Sequence, residues 1–131
     1  MSERNTHPNT DNILQLLTET ANTKDYTVDI TLNVKGSVVT GTVVSAMTYL
    51  EEIAGEFSEE NDIEQTIYEK LMEAASNLKD EEAPETNYVH LKDAKLFSES
   101  GKSLPSNGSV LWRGKLSDID GFFLGKITTE E

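Results

Sequence analysis

The chain has 131 residues, the length of one domain, and 36% of them are hydrophobic, so one core of modest size can form. Lys and Arg number 11 against 24 Asp and Glu, a net charge of −13, which argues against nucleic acid and anionic membranes as partners, because phosphate binding needs clustered cations. There is no Cys, which excludes disulfides, thiolate metal sites and cysteine nucleophiles.

The start of the chain is polar and carries no apolar stretch of signal-peptide length, and no run of about 18 apolar residues exists to span a bilayer. A cytoplasmic protein is expected. The charge is uneven: residues 51–85 hold 13 acidic and 2 basic residues, net −11, and the remainder is nearly neutral at −2. Within this segment Glu59, Glu60, Glu81 and Glu82 mark an acidic surface, which is either a solvated helical face with a loop or an electrostatic contact.

In chain order, residues 1–9 are expected to be a disordered tail and residues 10–127 a single domain. Thr10 or Asp11 can cap a short helix with an apolar stripe of Ile13, Leu14, Leu16, Leu17 and Ala21. From Tyr26 the period changes to two: Tyr26, Val28, Ile30, Leu32 and Val34 alternate with polar residues, which predicts a strand wet on one face. Lys35 and Gly36 form a tight turn, and a second strand over 37–45 contains Gly41, which marks a bend or bulge. Residues 46–57 then read as helical with a break near Gly55. A capping box of Asp62 and Gln65 starts another helix, in which Ile63, Ile67, Leu71, Ala74, Ala75 and Leu78 recur at helical spacing. The acidic stretch 80–85 with Pro84 is a loop.

Residues 88–97 predict a third strand, irregular at Lys92 and Asp93, and 98–108 a Ser/Gly/Pro/Asn loop. A fourth strand follows over 110–116, a turn ending at Gly121, a fifth strand over 122–127 and a loose tail over 128–131. The expected architecture is mainly β: a strongly bent five-stranded antiparallel barrel with an amino-terminal helix and an acidic helical insert, 47–85, between strands two and three. Gly36, Gly41, Gly114 and Gly121 are its structural turn or bend positions.

The segment ITLNVKGSVVTGTVVSAMTYLEEI resembles the first Sm motif of Sm-like proteins, with Gly36 and Gly41 at the glycine positions and Leu32 and Val43 at apolar ones. VLWRGKL is similar to the second Sm motif, with Arg113 and Gly114 in place of its Arg-Gly pair. A closer resemblance is to the U-type gas vesicle accessory proteins (GvpU), through GTVVSAMTYLEEIAGEF, VHLKDAKLF and SLPSNGSVLWRGKLSDIDGFFLG. That resemblance implies a non-enzymatic accessory role around gas vesicles, with vesicle proteins or the vesicle surface as partners. The composition agrees: a shell protein should be strongly apolar, whereas mean hydropathy here is −0.47.

The Sm resemblance implies RNA binding, the alternative reading, but the residues oppose it. The loop positions that hold Asp and Asn in the Sm pattern hold Met47 and Glu51 here, and Glu51 would repel phosphate. No catalytic constellation stands out. His90 with nearby Asp93 would be acid/base machinery in a small enzyme and is otherwise an ordinary strand histidine. Asp118 and Asp120 before Gly121 suit a turn better than a calcium loop, which needs more oxygen ligands in register. No cofactor or metal is expected.

Phe122 and Phe123 must point to opposite faces of an alternating strand, so one is core and the other a contact surface. Trp112, Arg113, Phe122 and Phe123 are the candidate interface, and self-association through the open edges of the last two strands is expected. The acidic insert should brake that association by repulsion, so that salt strengthens it. Ion pairs to Lys and Arg patches would give the opposite trend.

Overall fold

In the computed structural model, residues 10–57, 60–79, 86–98 and 100–127 are described. The tails at 1–9 and 128–131, the loop 80–85, and Glu59, Glu81 and Glu82 lie outside them.

Helix α1 spans Asn12–Lys24, and Asp11 is its cap, with the carboxylate accepting from the Ile13 and Leu14 N–H groups. Its buried face is Leu14, Thr18 and Ala21. Ile13 and Leu16, expected in the apolar stripe, lie on the opposite side and are more than half exposed. Thr18 joins the buried face because its hydroxyl donates to the Leu14 carbonyl one turn back, at 2.9 Å.

Strands β1 (Val28–Val34) and β2 (Ser37–Val44) form a hairpin closed by Lys35 and Gly36, both at positive φ. Two such residues give the turn whose twist matches the strands. Strand β1 begins at Val28, and Tyr26 is outside it and exposed. Strand β3 (Tyr88–Phe97) pairs with β2 and changes register between Thr40 and Thr42, opposite Gly41. The bulge sits on β3, where Asp93 has φ 53. Gly41 suits this close approach, since a β-carbon would lie 3.0 Å from the Lys92 carbonyl oxygen and 3.2 Å from Ala94 Cα.

Two helices interrupt the sheet. Helix α2 (Ala46–Ala54) is capped by the Ser45 hydroxyl and ends at Gly55. Helix α3 (Asp62–Lys79) packs on α2. Its cap is Asn61, one residue before the expected Asp62: the Asn61 side chain accepts from the Glu64 N–H, and Gln65 bonds Glu69 instead of closing a box. Ala75 is buried on α3, while Ile63 and Ile67 face outward. Only part of the apolar series therefore faces inward.

The chain then forms β4 (Ser103–Leu104), β5 (Val110–Lys115), a 3-10 turn over Leu116–Asp118, and β6 (Gly121–Leu124). Strand β4 lies inside the expected loop. The fifth strand of the sequence reading stops at Leu124, because Gly125, at φ 110, turns the chain back. All pairing is antiparallel, in the order β4-β3-β2-β1-β6, and β5 shares the outer edge of β3 with β4.

The expected bent, Sm-like barrel is not formed, and the sheet stays open. The path ends at β4 and β5 on one side and β6 on the other, with no ladder between them among the described residues. Closure is not needed to build the core, because α1 covers the face carrying Ile30, Leu32, Val39, Val43, Val89 and Leu91. Among the described residues, six strands and three α-helices give a mixed α/β fold with an open sheet.

Candidate interaction site

The register separates the two faces of the sheet. Leu91 and Trp112 face each other on the core side, and His90 and Arg113 on the other. Trp112 packs against the core. Gly114, two residues on, lies under its ring: a β-carbon there would overlap the indole. Gly114 is thus a strand residue required by the Trp112 ring, not a turn. Gly121 is also in a strand, with open space where a β-carbon would stand, so nothing there demands glycine.

On the outer side, Arg113 Nε donates to His90 Nε2 at 3.2 Å, and the guanidinium lies 3.9 Å from the centre of the Tyr88 ring. Arg has only donors, so His90 presents a lone pair at Nε2 and carries its proton on Nδ1. Nδ1 is buried and finds no hydrogen-bond partner among the described residues. Tyr49 of α2 packs on the imidazole at 4.8 Å. Burial, and then the Arg113 charge, push the His90 pKa down to about 4, so the ring is neutral at ordinary pH. Asp93, the companion His90 would need as acid/base machinery, is the positive-φ residue of the bulge.

Beside Tyr88 is a surface cleft of about 280 Å³ lined by Thr10, Thr86, Asn87, Tyr88, Lys115, Leu116 and Ser117. Its lining mixes polar and apolar surface in similar measure. The Leu116 N–H donates to the Asn87 carbonyl, which joins the end of β5 to the segment entering β3. Lys115 and Arg113 are both exposed, and no carboxylate of the described residues pairs with either.

The positions of an Sm-type base loop are not a loop here. Met47 and Glu51 are in α2, which Ser45 starts directly after β2. Asp120 serves the β1–β2 turn, accepting from the Lys35 N–H at 3.1 Å. No group of three His, Cys, Asp or Glu that would hold a metal occurs among the described residues. The sheet ends in two edges, β6 and the pair β4 and β5. Phe122 packs against the core, while Phe123 is 56% exposed and Leu124 60%.

Residues 11–127 match the family described as gas vesicle protein GvpU-like. The chain belongs to that family. Among curated proteins and among solved structures, nothing matches the chain. For this GvpU-like protein the sequence pointed to Arg113 and Phe123 but not to the cleft. Thr86, Asn87 and Ser117 are ordinary polar residues in sequence, and only the β3–β5 pairing brings Thr86 and Asn87 to Lys115 and Ser117. No helix among the described residues is long and apolar enough to cross a membrane.

Proposed function

We propose that the protein is a non-enzymatic gas vesicle accessory protein of the cytoplasm, acting through self-association and through contacts with gas vesicle proteins or the vesicle surface. The observation that carries the self-association is the β6 edge. One side of β6 pairs with β1, and the other side has no strand partner among the described residues. Exposed Phe123 and Leu124 flank those open backbone groups. An unpaired edge with apolar side chains is a template for strand addition, and the outer edge of β5 is the complementary template. Gas vesicle contact is supported by the family match over residues 11–127.

The test has two arms. Light scattering at tens of micromolar, roughly the range where weak association appears, should give a mass above one chain. Co-sedimentation with purified, buoyant gas vesicles should carry the protein into the floating layer. A monomer that stays in the subnatant would overturn the reading. The Sm-like RNA reading makes the opposite prediction, retention of short RNA on a filter with a steep loss on adding salt.

A further inference from the structure

Lys115 lines the cleft and Arg113 lies over the ring of Tyr88, another lining residue; neither pairs with a carboxylate of the described residues, in a chain where acidic residues outnumber basic ones by 24 to 11. Arg113 is held in place by its bond to His90 and by the Tyr88 ring, so little ordering remains to be done when its other donors bind. Lys115, two residues along β5, lines the cleft itself. Hydroxyls of Thr10, Thr86 and Ser117 and the Asn87 amide add neutral donors. Ammonium and hydroxyl donors in the cleft, with a held guanidinium beside it, suit a carboxylate ligand.

The nearest abundant source of carboxylates is another copy of this chain. Its segment 51–85 carries net −11. On α3, Asp62, Glu69 and Glu73 are exposed, and spacings of seven and eleven residues put them on one helix face. The row is roughly 16 Å long at 1.5 Å per residue. None of the three pairs with a cation among the described residues, and Glu69 holds only the Gln65 amide. An RNA phosphate would meet the same donors and is distinguished by filter retention.

We propose that the cleft beside Tyr88, with Lys115 and Arg113 at its side, receives the α3 carboxylates Asp62, Glu69 and Glu73 of a second copy. This rests on the self-association reading and adds a contact distinct from the sheet edges. It also reverses the salt dependence expected from net charge alone. Ion pairs between copies are screened as salt rises, so association weakens.

The test uses the full chain in sedimentation velocity from about 0.05 M to 0.5 M NaCl, where the Debye length falls severalfold. Association should weaken with salt. Lys115→Glu should weaken it about three- to tenfold at low salt, the scale of one or two exposed ion pairs. Glu69→Lys with Glu73→Lys should do the same, and the triple variant should regain association. Lys115→Gln, which keeps the strand position without adding repulsion, should show a smaller loss, and circular dichroism checks that each variant folds. Association that strengthens with salt, or that Lys115→Glu leaves unchanged, overturns the proposal but spares the edge contact. Lower thermal stability with unchanged association would assign the cleft to the chain's own carboxylates and overturn it too. Filter retention of short RNA that Lys115→Glu abolishes would make the cleft a phosphate site. A wild-type monomer at every salt concentration overturns this proposal and the self-association reading together.

Discussion

The hydroxyls of Thr31 and Thr40 lie 2.9 Å apart, buried between adjacent strands, and together they anchor residues 125–127 across the sheet. Thr31 donates to the Gly125 carbonyl at 2.8 Å, and the Ile127 N–H donates to Thr40 Oγ1 at 2.9 Å. Since the Thr31 proton is committed to Gly125, the proton between the two hydroxyls belongs to Thr40. The relay therefore runs from the Ile127 N–H through Thr40 and Thr31 to the Gly125 carbonyl. The Ile30 carbonyl, 3.4 Å from Thr40 Oγ1, is a poorer acceptor for the same proton.

Thr40→Val keeps the shape and removes the relay. It leaves the Ile127 N–H without its acceptor and should cost about 1–2 kcal/mol in urea unfolding. Thr40→Ser should keep most of that. Amide exchange at Ile127 should accelerate in the valine variant and not in the serine one. Equal exchange in both would mean that the hydroxyl does not hold the segment.

Gly114→Ala should be far more damaging than Gly121→Ala. The added methyl overlaps the Trp112 ring, whereas the one at Gly121 meets open space. Displacing a ring packed on the core should cost about 1–3 kcal/mol, and Gly121→Ala should stay within about 0.5 kcal/mol. Trp112 is the only tryptophan, so its fluorescence reports the ring directly. A red shift is expected for Gly114→Ala alone. An unshifted spectrum with full stability would contradict the packing.

Local signals in the sequence were readable wherever the cause was local. The β1–β2 turn, the bulge opposite Gly41 and the end of α2 at Gly55 each follow from glycine or from a change of period. What failed depends on partners distant in sequence. Ile63 and Ile67 repeat at helical spacing, yet α2 packs on another side of α3. Gly114 read as a bend because nothing in the sequence shows that Trp112 folds back over it. Barrel closure was inferred from strand number, but α1 already covers the core face. The cleft was invisible because Thr86 and Lys115 are brought together only by the β3–β5 ladder.

Phe123→Lys should weaken self-association while leaving folding intact. Phe123 is more than half exposed, whereas Phe122 on the same strand packs against the core. A charge beside an open edge is a common way to prevent strand addition. Light scattering should show a lower mean mass for Phe123→Lys, with thermal stability changed by less than about 0.5 kcal/mol. Phe122→Lys should lower stability first, by inserting a charge into the core. If Phe123→Lys associates like the wild type, the β6 edge is not the contact.

The His90 imidazole makes stability depend on pH in a defined direction. In the unfolded chain it takes up a proton near pH 6.5, while burial and then Arg113 hold the folded pKa down to about 4. Between these values the unfolded state binds more protons, so the contribution is fully present above about pH 6.5 and is lost as pH drops from there to about 4. The full loss is of order 3 kcal/mol for this one group. Among the described residues the groups shown in contact with the ring are Arg113 and Tyr49, and neither is a carboxylate that would favour the imidazolium. Protonation at Nε2 also replaces the lone pair that Arg113 Nε uses, so the contact turns from a hydrogen bond into a repulsion. His90→Gln keeps an acceptor for Arg113 but does not titrate. Its thermal midpoint should therefore fall less than that of the wild type between pH 7 and pH 4.5, with both chains sharing the same carboxylate background. Parallel curves would show that the buried imidazole does not set the acid sensitivity of the fold.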